Sequence, residues 1–330
     1  MKKLLVTGAA GFIGHHFVDR ILKETDWAVT IIDRLDTSGN LNRLADIGAA
    51  KNDRVRFIYH DLRAAMNDQV MRQIGRHDYI VHMAAGTHVD RSIDDPMAFV
   101  MDNVVATCSI LEFARKVGCD KFIYFSTDEV FGPAPQGTSF KEWDRYNSGN
   151  PYSATKAGGE ELALAYGNTY GLNIVITHTM NVVGARQHWE KYVPMVIGKV
   201  MRGEKVYIHS DKTKTTPGSR YYIDAKDVAK ATHLLLENGT AGKYNIVGAE
   251  EIDNLALAQK IAAVVGKPLV YELVDFHSSR PGHDLRYALD GTLMKQKFGF
   301  SPKLDLKSII DWYLQNPGWL APETLKQNAA

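Results

Sequence analysis

Three glycines at Gly8, Gly11 and Gly14 directly follow the short apolar run Leu4-Leu5-Val6 and open a stretch, Phe12 to Leu22, with apolar residues at helical spacing. A chain with that order has few ways to fold. Glycine lets the backbone turn sharply and approach another group closely, and the helix that starts there offers free N–H groups and the positive end of its dipole. The spacing is GxxGxxG rather than GxGxxG, and it fits a strand-turn-helix that holds a pyrophosphate.

The pattern that follows agrees. Apolar runs at Val29–Ile32, Val55–Tyr59, Tyr79–Met83, Lys121–Ser126 and Asn173–Thr179 read as strands. Val100–Val117 and Pro151–Tyr170 read as helices, the latter with proline in its favoured first-turn position. Runs that are apolar on both faces belong to a parallel sheet covered on both sides. The expected fold is α/β, a Rossmann-like doubly wound parallel sheet with a smaller C-terminal α/β lobe. Residues 1–180 would form the dinucleotide-binding domain and 181–330 mainly a nucleotide-sugar-binding one, with segments around 220–235 free to return to the first. Beyond Asn181 the alternation turns irregular, with helices expected near 189–203, 227–237, 255–265 and 304–314 and strands near 205–209, 243–247 and 270–274. Ligands of such sheets bind at the C-terminal edge of the strands.

Composition narrows the partners. The chain has 330 residues, 45% hydrophobic and 23% charged, with a net charge of +1. No long basic run appears, so nucleic acid and anionic membrane are poor partners. Its two cysteines, Cys108 and Cys119, form no CxxC pair and read as reduced thiols. The N-terminal apolar run is too short for a signal peptide, and no segment reads as long and apolar enough to span a bilayer. A cytoplasmic protein is expected. The histidines show no zinc-like spacing, so no metal is expected, and His15-His16 read as surface residues of the first helix.

Candidate site residues follow from position. Asp33, ending the second strand, is placed for a ribose 2′-hydroxyl; a carboxylate there would repel a 2′-phosphate, which favours NAD, although the adjacent Arg34 weakens that preference. Asp61, ending the third strand, could meet an adenine amino group or serve as a turn cap. Tyr152 and Lys156 lie four apart on one helix face, where an ammonium is expected to lower the phenol pKa and make Tyr152 a base. Ser126-Thr127-Asp128-Glu129 ends the fifth strand. A regular strand would aim the two acids to opposite faces, but a turn there could bring both to one ligand. Paired carboxylates held at different pKa values can act as donor and acceptor.

Together, the glycine loop, Tyr152/Lys156 and the Thr127-Asp128-Glu129-Val130-Phe131-Gly132 run resemble the extended short-chain dehydrogenase/reductase superfamily, and within it the dTDP-glucose 4,6-dehydratases. His82-Met83-Ala84-Ala85, His88-Val89-Asp90-Arg91-Ser92, Glu190-Lys191 and Arg280-Pro281-Gly282-His283-Asp284 extend the likeness along nearly the whole chain. The resemblance implies a homodimer packed through the Val100–Val117 and Pro151–Tyr170 helices and an NAD contact set of Gly8, Gly11, Phe12, Ile13, Gly14, Asp33, Asp61, Leu62, Ala84, Tyr152 and Lys156. It implies that Tyr152, helped by Thr127 and Lys156, takes the proton of a sugar 4-hydroxyl, that Glu129 removes the C5 proton, and that Asp128 protonates the departing C6 hydroxyl. The implied substrate contacts are His88, Asn181, Glu190, Lys191, Arg220, Asn254, Arg280 and His283. Asn103 resembles a superfamily active-site asparagine, with a place on the helix surface as the alternative. An NDP-sugar 4-epimerase would share the oxidation but need no acid pair, and a non-enzymatic dinucleotide sensor would usually lack Tyr152 and Lys156. Gly86-Thr87, Val182-Val183, His188-Trp189 and Phe131 depart from the family pattern around the sugar and base pockets.

Overall fold

The computed structural model describes residues 1–36, 38–275 and 285–321. In chain order, Lys3–Thr7 forms β1, Phe12–Glu24 α1, Ala28–Asp33 β2, Leu41–Asp46 α2, Val55–Tyr59 β3, Asp68–Ile74 α3, Tyr79–His82 β4, Val89–Asp94 α4, Pro96–Val100 α5, Ala106–Val117 α6, Lys121–Thr127 β5, Pro151–Tyr170 α7 and Ile174–Thr179 β6. The second half adds β7 (Val182–Val183), α8 (Tyr192–Arg202), β8 (Val206–Ser210), β9 (Ser219–Tyr221), β10 (Ile223–Asp224), α9 (Ala225–Asn238), β11 (Gly242–Ile246), β12 (Glu251–Asp253), α10 (Asn254–Val265), β13 (Tyr271–Asp275), α11 (Thr292–Phe298) and α12 (Leu306–Gln315).

Seven strands make one sheet in the order β11-β6-β5-β4-β1-β2-β3, and every pairing in it is parallel. β1 shows why the sequence requires two covering layers. Leu4 and Val6 point into a core with Phe17 and Ile21 of α1 and Val228 and Leu235 of α9. Leu5, between them, points into the opposite core with Ile110 and Phe113 of α6 and Ala163 of α7. Each such fully buried side chain contributes about 1.5–3 kcal/mol, so a polar residue at any of the three positions would strip one layer from the sheet.

The chain from β10 to β11 returns to this sheet: α9 packs in the α1 layer, and β11 pairs with β6, Gly242 opposite Val175. The other C-terminal elements form their own core, in which Val196 and Ile197 of α8, Leu257 and Ile261 of α10 and Ile310 and Tyr313 of α12 are buried. Gln187, His188 and Lys191, which lead into that lobe, line one cavity with the ends of β1, β2 and β5.

Three expectations change here. The helix expected over Val100–Val117 begins at Pro96, capped by the Asp95 side chain accepting from Ala98 N–H, and carries a π turn at Met101–Val105. The rod Pro96–Val117 contains an 18-residue window of mean hydropathy 1.5, so one segment does have the length and composition to cross a bilayer. Its apolarity serves packing on two sides, since Ile110, Leu111 and Phe113 cover the sheet while the adjoining faces lie along α7. Third, His15 and His16 are buried, not on the surface. His15 bonds the Gly11 carbonyl at 3.1 Å and His16 the Ala185 carbonyl at 3.0 Å, and burial lowers both imidazole pKa values. The sequence pattern hid this because α9 and the 184–187 segment, far away in sequence, cover that face.

Candidate active site

Gly8 has φ of +72°, and a Cβ on it would lie 2.6 Å from the Ala84 nitrogen. A Cβ on Gly14 would meet the Gly8 oxygen at 2.5 Å. Only glycine lets α1 butt against the end of β1 this closely. Gly11 is the N-cap of α1, and no side chain caps the first turn, so that helix end is open to a bound anion. The cavity that begins here has a volume of about 630 Å³ and runs along the strand C-termini. Gly8, Gly11, Phe12, Ile13, Gly14, Asp33, Asp61, Leu62 and Ala84 all line it, as do Thr127, Asp128, Glu129, Tyr152 and Lys156. The glycine cradle, an open helix end and an acid at the end of β2 fit a dinucleotide.

Asp33 accepts from Ala10 N–H at 3.0 Å and from Leu35 N–H at 2.9 Å, which fixes its carboxylate at the cavity wall. Burial raises its pKa against those two bonds and the nearby Arg34 and Arg43. Arg34 is not available to a 2′-phosphate. It forks onto Asp102 at 2.7 and 2.9 Å, bonds Asp36, and lies 3.6 Å from Asp61. Asp61 is also held by Arg63, which drops its pKa to about 2. Sequence reading missed Arg43, a buried guanidinium in the wall that donates to the Ala10, Ser38 and Arg186 carbonyls. Nothing in its local sequence distinguishes it from a surface arginine.

β5 ends in the turn on which the chemistry depends. Thr127 stays extended, and residues Asp128–Phe131 wind into a single 3₁₀ turn. The Thr127 hydroxyl accepts from Glu129 N–H at 3.4 Å and donates to Asp128 Oδ1 at 3.0 Å. This winding replaces the strand alternation that would have separated the acids, so both face one cavity. Gly132 closes the turn at φ +74°, with a Cβ position 2.3 Å from the Asn147 oxygen. Burial first raises Asp128 to about 6. Burial and then the charge of Asp128 raise Glu129 to about 7. Asp128 Oδ2 has no hydrogen-bond partner among the described residues.

Tyr152 and Lys156 share the cavity face of α7 as their spacing required, but the electrostatic expectation is overturned. Burial, then Glu129, push the Tyr152 pKa up rather than down. Burial also lowers Lys156 to about 7, and its Nζ donates to the Phe125 carbonyl while lying 4.4 Å from the Tyr124 ring centroid. The sequence showed the ammonium and both carboxylates, but not the depth at which Tyr152, Lys156 and Asp128 are buried, which sets the sense of the shift.

At the far end, His88, Asn181 and Lys191 line the cavity. Glu190 stands behind them, 3.6 Å from His88, 3.6 Å from His188 and 3.5 Å from Arg91. His88 is lowered to about 4, by burial and then by Lys191 and Arg91. Arg220 lies outside the lining residues; it bonds the Ser219 and Leu285 carbonyls, stacks 4.6 Å from Tyr287 and acts on both acids through its charge. Asn254 opens α10, its side-chain oxygen accepting from the Tyr222 hydroxyl at 2.7 Å. Arg280 and His283 lie outside the described residues.

Asn103 is 1% exposed, which removes the surface alternative. From the π turn it accepts from Gly86 N–H at 2.8 Å and donates to the Gly86 carbonyl at 3.2 Å and Thr155 Oγ1 at 3.0 Å. It thus ties the loop after β4 to α7. Asn150, also missed, caps α7 and donates to Glu129 Oε2 at 3.3 Å; an asparagine before the helix-opening Pro151 was the available signal.

The sequence matches the family model described as GDP-mannose 4,6 dehydratase over residues 5–312. The chain belongs to this family. A family relative, the dTDP-glucose 4,6-dehydratase of Streptomyces niveus, is 38% identical over 97% of this chain and 95% of its own length. The corresponding Salmonella typhimurium enzyme is 34% identical over 96% of this chain and 94% of its own. Among solved structures, a dTDP-glucose 4,6-dehydratase of Streptomyces venezuelae with NAD bound superposes with a TM-score of 0.88 at 34% identity, covering 97% of this chain and 99% of that one. The Thermus thermophilus UDP-glucose 4-epimerase shares the fold more distantly, with a TM-score of 0.81 at 26% identity.

Proposed function

We propose that this chain is an NAD-dependent NDP-hexose 4,6-dehydratase that turns an NDP-hexose into an NDP-4-keto-6-deoxy sugar. One observation carries the reading: the 3₁₀ turn sets two raised carboxylates, Asp128 and Glu129, beside Tyr152 in the cavity that the glycine loop opens. An epimerase, which only oxidises and reduces C4, has no use for that pair.

In this reading residues 1–180, joined by 223–246, hold NAD, and the remaining C-terminal residues mainly hold the nucleotide sugar. Gly8, Gly11 and Gly14 admit the pyrophosphate and Asp33 the ribose. Bound NAD supplies the acceptor for the C4 hydride and returns it at C6. Tyr152, beside Thr127 in the cavity, would take the proton of the 4-hydroxyl at its phenol oxygen as the phenolate. Burial makes that phenolate costly, and the positive charges of the nearby Lys156 ammonium and of bound NAD would offset the cost. The C4 ketone acidifies the C5 proton. Glu129 in its ionised form, which the Asn150 amide favours against burial and Asp128, removes it and returns a proton to C5 when the hydride adds at C6. Asp128 holds a proton at its unpartnered Oδ2 and passes it to the C6 hydroxyl, which leaves as water. The two acids titrate as a pair, and the pair needs one proton to work. Lys191, His88 and Asn181 face the diphosphate and sugar. The reading includes a cytoplasmic homodimer.

The test is incubation of the purified protein with dTDP-glucose and a panel of other NDP-hexoses, following loss of one water by mass. A 4-keto product lighter by one water supports the reading; an epimer of unchanged mass favours the epimerase.

A further inference from the structure

We infer that Asn150 is a positioning residue for the elimination, fixing which oxygen of Glu129 meets the substrate and favouring the ionised carboxylate. The inference rests on the dehydratase reading above and deepens it.

The geometry begins with the helix. α7 must satisfy the free N–H groups of its first turn, and Asn150 does so by accepting from Ser153 N–H at 2.8 Å through Oδ1. The Ser153 hydroxyl answers by accepting from Asn150 N–H at 3.3 Å, closing a capping box. This cap decides the amide orientation. With Oδ1 committed to the helix, the NH₂ group must point the other way, and there it donates to Glu129 Oε2 at 3.3 Å. Asn150 is 7% exposed, so little water competes. The strap is doubled by the backbone: Asn147 N–H donates to the Val130 carbonyl at 2.9 Å, locking the segment before α7 onto the turn that carries both acids. One side chain therefore sets the distance between the helix bearing Tyr152 and the acid at 129.

The chemical consequence is directional. An amide N–H can only donate, so it favours the charged carboxylate over the neutral acid. It occupies Oε2 and leaves Oε1 for the C5 proton. The groups acting on Glu129 are Asp128 of its own turn, Asn150 and Tyr152 of α7, Lys191 ahead of α8 and Arg220 of β9. Among them Asp128 and burial favour the protonated form, whereas Asn150, Arg220 and Lys191 favour the charged one. The two cations act on it through their charge, and Asn150 hydrogen-bonds the carboxylate directly.

The test uses Asn150→Asp, Asn150→Ser and Ser153→Ala in the full chain with NAD and dTDP-glucose. Ser caps helices about as well as Asn, so the melting temperature of Asn150→Ser should stay close to the parent, whereas Asn150→Asp, which also sets another carboxylate against Glu129, should melt lower. Asn150→Asp should slow formation of the 4-keto-6-deoxy product about tenfold or more. Because the donor is lost and another carboxylate takes its place, Glu129 becomes harder to ionise, so the acidic limb of kcat should move to higher pH by roughly one pH unit or more. The deuterium isotope effect with C5-deuterated substrate should grow. Asn150→Ser should do the same more weakly, and Ser153→Ala should leave the limb and the isotope effect in place. An Asn150→Asp enzyme with the parental pH limb and isotope effect would overturn the inference while leaving the dehydratase reading intact. A parent protein that yields no 4-keto-6-deoxy product from any NDP-hexose would overturn both.

Discussion

At the scale of single residues, the cavity works by setting burial against hydrogen bonding. Glu129 and Asp128 are pushed into the range where one proton can be shared between them near neutral pH, and each has a different neighbour to bias it. Replacing Glu129 with Gln keeps the shape and removes the base. Product formation should fall roughly a hundredfold to ten-thousandfold, while reduced-cofactor absorbance still develops on adding substrate; full product formation by this variant would exclude Glu129 as the base. A second residue-scale consequence concerns cofactor choice. Arg34 is spent on Asp102 and Asp36, so the double variant Asp36→Ala/Asp102→Ala should free it and raise NADP affinity relative to NAD. Calorimetry of the two dinucleotides measures this directly, and an unchanged affinity ratio would show that Arg34 does not face the 2′ position. The identities of these residues were readable from the sequence, because Asp33, Asp128, Glu129, Tyr152 and Lys156 stand at strand ends and on one helix face. Their states were not. The sense of the Tyr152 shift depends on burial and on carboxylates 23 and 24 positions away in the chain, and the neutralisation of Arg34 depends on Asp102.

At the scale of elements, two devices hold the site. The π turn in the Pro96–Val117 rod points Asn103 at the loop after β4 and at α7 simultaneously. Asn103→Ala would leave the Gly86 N–H and carbonyl without their buried partner, at a cost of about 1–3 kcal/mol. A lower melting temperature and a lower kcat should appear together, and a change in neither would contradict the tie. The second device is His82, fully buried at the end of β4, bonding Thr7 at 2.7 Å and Thr107 at 3.0 Å. Burial lowers its pKa to about 3. The unfolded chain takes up that proton near pH 6.5 and the folded chain refuses it, so this group makes stability fall as pH drops from about 6.5 toward 3. The raised acids 128 and 129 oppose the trend, so the difference between parent and His82→Gln isolates it. The variant should lose less stability than the parent between neutral and acidic pH in thermal melts, and identical slopes would refute the assignment. Strand positions were legible because β-rich apolar runs end at glycine or acid. The π turn was not, since one extra residue in a helix leaves the apolar pattern almost unaltered.

At the scale of the whole molecule, a sheet of seven parallel strands offers its C-terminal edge to two ligands, and residues that lead into the second lobe line the same cavity. The boundary near residue 180 marked where alternation fails, but β11 joining β6 is a long-range pairing that local pattern cannot specify. The apolar rod Pro96–Val117 is only partly covered within one chain, 44% of its most apolar window being buried, and the proposed homodimer would cover its open face. Sedimentation should give twice the chain mass, and a monomer at working concentration would contradict that packing. The chemistry of the cavity itself is best tested by one experiment, turnover of dTDP-glucose in D₂O with mass and NMR analysis of the sugar. Removal of the C5 proton by Glu129 and loss of water assisted by Asp128 should give a 4-keto-6-deoxy product carrying solvent deuterium at C5. A sugar that keeps its mass and its C5 hydrogen would contradict the elimination.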